Sequence, residues 1–257
     1  MVARRLELIT VADFPLVEPG DDIAQTAISA LDKAQLCLQV GDIVVVAQKI
    51  ISKAEGRYRI LSSVRASAEA QGLARKVDKD PRLVQLILDE SKAVIRHRPG
   101  VLIVEHKLGY VHANAGIDQS NIVQRDGEEQ VLLLPENSDR SAAMLQAALE
   151  KHFAAELGVI VNDSAGRAWR NGTVGMAIGS AGIEPVQDLV GTSDLFERKL
   201  QVTAVAVADE LAAAASFMMG QADEGTPLVI VRGAQLKYVN THTSQDLLRP
   251  AAEDLFR

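Results

Sequence analysis

Residues 159–172 pass from an apolar run, Val-Ile-Val, into the polar stretch Asn-Asp-Ser-Ala-Gly-Arg-Ala-Trp-Arg-Asn-Gly. Asn162, Asp163 and Ser164 offer hard oxygen ligands, and Arg167 and Arg170 offer cationic forks. The chain's one tryptophan, Trp169, sits between the two arginines, with Gly166 and Gly172 loosening the backbone around them. Divalent Mg²⁺ and Mn²⁺ prefer carboxylate and hydroxyl oxygens, and arginine grips phosphate or carboxylate through paired donors. The segment therefore reads as a strand that delivers a metal–phosphate site to a loop. The plainer alternative is a loop held by Asp–Arg ion pairs, since structural pairs also gather charge.

Four further clusters share this chemistry. Gln48-Lys49-Ile-Ile-Ser52-Lys53-Ala-Glu55-Gly56-Arg57 follows a β-branched run and suits a polyphosphate, although it lacks the glycine spacing of a Walker A loop. A solvated charged turn is the alternative. His112-Ala-Asn114-Ala-Gly116-Ile-Asp118-Gln-Ser120-Asn121 places oxygen-bearing side chains on a small-residue stretch, as a hard cation or an ordinary Asp/Asn turn would require. In Glu136-Asn-Ser138-Asp139-Arg140-Ser141 the polar residues read first as helix caps. Met219-Gly220-Gln221-Ala-Asp-Glu224-Gly225 is either a glycine-terminated helix end or a loop presenting backbone and amide groups to a nucleotide. The five histidines miss zinc-ligand spacing, and neither a Gly-x-Ser-x-Gly elbow nor a Gly-x-Gly-x-x-Gly fingerprint is present.

The elements that must position these residues are mixed without strict alternation. Helices are expected over 22–38, from Pro81 to about Glu90 behind an Asp80 cap, over 141–157 closed by Gly158, and over 202–219. Strands are expected over 43–47, 93–95, 101–105, 131–134, 159–161 and 227–231, and the polar tail from Thr241 is expected to be peripheral. No repeat or low-complexity linker divides the chain, so 1–257 reads as one unit with a possible central subdomain at about 90–190.

Bulk properties narrow the function classes. A chain of 257 residues with 47% hydrophobic and 24% charged residues is ordinary for a globular protein. A net charge of −7 argues against a general nucleic-acid partner. The first residues lack the apolar core of an export signal. The run 204–219 carries Asp209 and Glu210 and is short for a bilayer, so no membrane partner and a cytoplasmic location are expected. The single Cys37 excludes an intrachain disulfide and reads as a small core residue.

Taken together, the clusters resemble the coenzyme F420-0:L-glutamate ligase family, also called F420-0:gamma-glutamyl ligase. The matching stretches run collinearly over nearly the whole chain: Pro19-Gly-Asp-Asp22, Val46-Ala-Gln-Lys-Ile-Ile-Ser-Lys-Ala-Glu-Gly56, Ala113-Asn-Ala-Gly-Ile-Asp-Gln-Ser-Asn121 and Leu134-Pro-Glu-Asn-Ser-Asp139, then Gly166-Arg-Ala-Trp-Arg170, Ala177-Ile-Gly179 and Ala208-Asp-Glu-Leu211. The length fits the short form, without the C-terminal nitroreductase-like domain of longer members.

The resemblance implies an α+β fold of mixed sheets and packed helices in two intertwined subdomains, assembled as a homodimer with sites in interfacial grooves. It implies a GTP-dependent ligase using Mg²⁺ or Mn²⁺, with K⁺ as a further candidate cation. F420-0, or a related acid, would be phosphorylated on its carboxylate and then attacked by the amine of L-glutamate, with later γ-linked extension. By matching motif, Asp118, Asp163 and Ser164 would hold metal. Lys49, Ser52, Lys53 and Asn121 would meet the nucleotide phosphates, and the Gly220–Gln221 loop would meet nucleotide. Arg167 and Arg170 would serve as catalytic arginines on substrate carboxylate or phosphate. One departure stands out: the family pattern carries Thr-Asp-Thr or Thr-Asp-Ser where this chain has Asn162-Asp163-Ser164. The amide beside the metal position bears on substrate choice, and a different carboxylate acceptor or a non-catalytic GTP-binding dimer would leave much of the same signature.

Overall fold

A computed structural model describes residues 4–124 and 128–256; Met1–Ala3, part of the start read above for an export signal, lie outside the described residues. The elements run β1 (Glu7–Thr10), α1 (Ile23–Lys33), β2 (Ile43–Ala47), α2 (Gln48–Ala54), β3 (Tyr58–Ile60), α3 (Ala68–Val77), α4 (Pro81–Asp89), β4 (Ser91–Arg98), β5 (Val101–His106), β6 (Val111–Ala113) and β7 (Gln130–Leu132). They continue with α5 (Ser138–Phe153), β8 (Gly158–Arg167), β9 (Arg170–Ala181), β10 (Gln187–Asp188), β11 (Ala204–Val205), α6 (Val207–Met219) and β12 (Leu228–Arg232). The class is α+β, as the sequence led us to expect.

A five-stranded sheet in the order β1-β12-β2-β8-β9 carries the core. Its one parallel pair is β2 with β8; the other pairings are antiparallel. Both faces are covered, which explains why β2 is hydrophobic without alternation. Val44 and Val46 face Leu31 of α1 and Leu145 and Leu149 of α5. Ile43 and Val45 face Leu211, Ala212 and Ala215 of α6. A second core, with Val84 and Ile87 of α4 packed on Leu102 and Val104 of β5, supports the antiparallel sheet β4-β5-β6.

Local chemistry sets several boundaries. Asp22 caps α1 by accepting from Gln25 N, but the helix stops at Lys33 because Gln35 turns to a φ of 55°. Asp80 caps α4 with Pro81 in its first turn, as expected. Helix α5 starts earlier than read, at Ser138, because Asn137 caps it through Arg140 N; it ends at Ala154 in the left-handed region, leaving Gly158 to open β8. Helix α6 is shorter than expected, since Ala204–Val205 pairs with β10. The tail is not merely peripheral: Ser244 is buried, donating from its backbone to Asp139 and from its hydroxyl to Ile178 O. Cys37 is exposed rather than a core residue, the inward position being taken by Leu38.

The second core is tied to the first by Glu90, which follows α4. Its carboxylate lies 2.9 Å from the Arg57 guanidinium and 3.2 Å from Lys107 Nζ, while Arg57 Nε also donates to Leu134 O. Burial alone would raise the Glu90 pKa, but His106, Arg57 and Lys107 outweigh it and bring it down to about 2. A depressed carboxylate pKa adds stability in full above its ordinary value of 4.5, and that stability is lost as pH falls through the folded value. Replacing Glu90 by Gln should therefore cost roughly 2 kcal/mol near neutral pH. The deficit should shrink as pH is lowered from 4.5 toward 2. Denaturant titrations of both proteins across that range test it, and a deficit independent of pH would contradict the assignment.

Candidate functional site

The polar run after Val161 is not a loop. Strand β8 continues through Asn162, Asp163 and Ser164 to Arg167 because β9 pairs with it from Val159 onward. A register shift between Val161 and Asn162 marks where the polar residues begin. Two small residues of β9 let neighbouring elements approach. A Cβ on Gly175 would stand 2.5 Å from Ala212 O and 2.6 Å from Asn162 Oδ1, and one on Gly179 would stand 2.5 Å from the Ser138 backbone.

Because β2 and β8 run parallel, with Ala47 opposite Asn162, the residues just beyond β2 and those at the polar end of β8 emerge together. Gln48, the first residue of α2, is buried, and its Nε2 donates to Asp118 Oδ2 at 2.8 Å and to Asp163 Oδ1 at 3.4 Å. One amide nitrogen thus bridges carboxylates supplied by the β8 strand and by the segment after β6. Ser52 Oγ fixes the amide by donating to Gln48 Oε1 at 2.9 Å. Lys49 Nζ lies 3.3 Å from Asp118 Oδ1 and donates to Ser120 O. Behind Asp163, the buried His112 places Nε2 2.9 Å from Oδ2 and Nδ1 3.1 Å from Ala113 O.

Charge and burial are in tension here. Burial, countered by Lys49 and reinforced by Asp163, holds the Asp118 carboxyl above its usual value. Burial, reinforced by Lys49 and countered by Asp118, lowers the Lys53 pKa. Burial alone would lower the His112 imidazole, but the Asp163 carboxylate prevails and raises it. Two carboxylates sharing a half-buried position favour a cation between them.

A cavity of about 660 Å³ opens over this cluster. Its walls include Lys49, Lys53, Asp118, Asn121, Asp163, Ser164, Gly220 and Gln221. Ser164 Oγ donates to Gln221 Oε1 at 2.8 Å, Gln221 Nε2 donates to Ser216 Oγ, and Asn121 Nδ2 donates to Ala222 O, closing the 219–226 segment over the groove. Gly220 takes a φ of 74°, and a Cβ there would strike the Glu224 carboxylate at 2.0 Å. Asn162 also lines the cavity; its Nδ2 faces Met219 Sδ at 3.7 Å, and its buried Oδ1 has no hydrogen-bond partner among the described residues.

Most of the residues named from sequence thus meet in one groove, but three do not. Ser52 is fully buried behind Gln48 rather than on the groove wall. Arg167 and Arg170 are exposed at the tip of the β8–β9 hairpin, where Arg167 donates to Gly172 O, and neither lines the cavity. Gln48 and His112 stood inside clusters quoted from sequence, yet no local signal marked their contacts with the aspartates.

The donor set fits a hard divalent cation. Asp118, Asp163, Ser164 and Gln221 present oxygen atoms to the groove, and burial holds the Asp118 carboxyl above its usual value. Among the described residues no group of three or more His, Cys, Asp or Glu is poised to hold a metal, so water and phosphate oxygens would complete the shell, as Mg²⁺ sites commonly require.

Fold and groove together define a class: an α+β chain whose paired carboxylates and lysines converge at the ends of parallel strands, a donor set for phosphate chemistry. Comparison with known proteins narrows it. Residues 12–233 match the family model described as F420-0:Gamma-glutamyl ligase. Coenzyme F420:L-glutamate ligase of Methanothermobacter thermautotrophicus is 46% identical over 253 residues, covering 98% of this chain and 99% of that protein. The proteins of the same name from Methanocaldococcus jannaschii (42% identical, 99% and 98% covered) and Archaeoglobus fulgidus (39% identical, 98% and 97% covered) are also similar. The chain belongs to the F420-0:gamma-glutamyl ligase family. None of the helices among the described residues is long and apolar enough to cross a membrane.

The close approach at Gly175 yields a test of the site's scaffold. Gly175→Ala should push against Ala212 O, Ser216 and Asn162, costing about 1–3 kcal/mol as other over-packed cores do. Chemical denaturation measures it, and a variant as stable as the parent would show that α6 is free to shift.

Proposed function

We propose that this chain forms an amide between L-glutamate and the terminal carboxylate of coenzyme F420-0 at the expense of GTP, with Mg²⁺ or Mn²⁺ in the groove, and then extends the product by γ-linked glutamates. The observation that carries the reading is the meeting of Asp118 and Asp163 on the Gln48 amide, beside Lys49 and Lys53, in a chain of this family. The names of its relatives supply the amino acid and the acceptor.

In the reaction a carboxylate oxygen of the acceptor bonds to the γ-phosphorus of GTP, and GDP leaves. The glutamate amine then attacks the acyl carbon, loses a proton, and expels inorganic phosphate as the C–N bond forms. The cation, when bound, neutralises phosphate charge. Asp118, Asp163 and Ser164 would hold it from the β8 strand and the segment after β6, with Gln221 facing Ser164 across the groove. Lys49 and Lys53 balance the polyphosphate, and Asn121 keeps the 219–226 segment in place through Ala222 O. Burial and the neighbouring Lys49 lower the Lys53 pKa, and phosphate oxygens would favour its charged form.

Mass spectrometry after incubation with F420-0, L-glutamate, GTP and Mn²⁺ should show a product heavier by one or more glutamate residues, dependent on nucleotide and metal. GTP consumption without that product would move the acceptor to another carboxylic acid. Asp118→Asn and Asp163→Asn should each lower turnover by more than about a hundredfold while the protein stays folded. Near-normal turnover in either variant would remove that residue from the cation site.

The reading also makes the chain a homodimer. The β8–β9 hairpin carries Arg167 and Arg170 past the groove of its own chain and exposes Trp169 to 87%, as a segment that seats on a second copy would. Sedimentation velocity at micromolar concentration should return twice the chain mass of 27.6 kDa. A monomer would leave both arginines without a groove and end their assignment to substrate.

A further inference from the structure

We propose that His112 is a positioning residue that holds Asp163 in register with Asp118 and thereby sets the cation affinity of the groove. The inference rests on the cation reading of the site and adds to it a residue outside the groove wall.

Asp163 and Asp118 belong to different parts of the fold. Asp163 lies on β8 of the five-stranded sheet, whereas Asp118 follows β6, which belongs to the three-stranded sheet of the second core. Backbone pairing anchors Asp118 to Leu132 through two reciprocal hydrogen bonds of 2.9 Å, again within the second part. Only side chains connect the two carboxylates. The Gln48 amide does so unequally, at 2.8 Å to Asp118 and 3.4 Å to Asp163. Asp163 is therefore the loosely held member of that bridge, and its closer contact is a charge pair with His112 Nε2 at 2.9 Å, close but not aligned as a hydrogen bond.

His112 is well placed to impose a fixed position. It lies on β6 opposite Val104, so its backbone is set by the three-stranded sheet that also leads to Asp118. Its side chain is 8% exposed, and Nδ1 is steadied 3.1 Å from Ala113 O. The turn from β6 to Asp118 is tight: Asn114, Ala115 and Gly116 all take left-handed φ values of 51°, 54° and 67°, and Asn114 Oδ1 accepts from Leu102 N. His112 thus carries the position of the Asp118 segment across to Asp163 through a short path. Partners of this kind behind metal-binding carboxylates typically change affinity by about 10–100-fold when removed.

The two ring nitrogens make different contacts, which allows a clean test. An Asn side chain reaches only where Nδ1 stands, toward Ala113 O; a Gln side chain reaches where Nε2 stands, toward Asp163. Mn²⁺ is titrated against wild type, His112→Asn and His112→Gln, each holding GDP, with free Mn²⁺ read by electron paramagnetic resonance and folding by thermal melting. His112→Asn should bind Mn²⁺ at least about tenfold more weakly, and His112→Gln should stay within about threefold of wild type. Wild-type affinity in His112→Asn would overturn the proposal, as would a tenfold loss in a folded His112→Gln, which alone decides the matter if the Asn variant does not fold. If wild type itself takes up no Mn²⁺, the cation reading of the groove fails, an outcome distinct from either.

Discussion

Two carboxylates must be brought together, half-buried, from parts of the chain with separate hydrophobic cores, and most of the site's architecture answers that electrostatic problem. Asp118 and Asp163 repel each other where water can do little to screen them. The protein surrounds them with an amide, an ammonium and an imidazole fixed from two elements: Gln48 and Lys49 from α2, His112 from β6. Any one of these groups missing would leave a buried charge poorly paired, which is costlier than never burying it. Burial, with Asp163 adding to it, still holds the Asp118 carboxyl above its usual value despite Lys49 and Gln48.

The geometry that makes this possible begins in the sheet. A parallel β2–β8 pair sends both chain ends to one side, so the first turn of α2 and the polar half of β8 face each other without a long loop. The second core then has to be docked with matching accuracy, and it is held at two places. Glu90 joins Arg57 and Lys107 away from the groove, and the His112–Asp163 and Gln48–Asp118 contacts join the parts within it. Both sets are polar. A seam made of directional contacts fixes relative position more sharply than an apolar surface, whose packing energy changes little with small sliding.

Much of this was legible in the sequence wherever local physics decides. The β-branched run at 43–47 could only be a buried strand, and Asp80-Pro81 could only start a helix. Asp118, Asp163, Lys49 and Lys53 were legible as candidates because carboxylates and ammonium groups are conspicuous by type, and the structure gathers them in one groove. What was not legible depended on pairing at a distance. Polar Asn162–Ser164 looked like a loop because nothing in their own sequence reveals that β9 will pair with them through Arg170. Seven-residue α2 hid inside a charged cluster because its stability comes from Ile50 and Ile51 packing on the main core rather than from helical periodicity. Gln48 and His112 were invisible as partners for the same reason, since their contacts span 70 and 51 positions of chain respectively (48 to 118, and 112 to 163). Cys37 was misplaced because its apolar neighbours Leu36 and Leu38 take the core contacts and leave it facing outward.

The location of Asn162 links this reading to choice of substrate. Its amide occupies a position between β9 and α6 so tight that Gly175 has no room for a Cβ, and Met219 sulfur is its nearest polar contact. A threonine there, as in the family pattern, would bring a smaller side chain with a single hydroxyl. The asparagine instead keeps a carbonyl oxygen buried without a partner among the described residues, immediately next to Asp163. An unpaired buried oxygen of this kind costs about 1–3 kcal/mol. Asn162 lines the groove, so a water or a ligand there can supply the missing donor. The asparagine at this position therefore sets an amide on the groove wall, while Asp118 and Asp163 keep separate contacts with Gln48, Lys49 and His112.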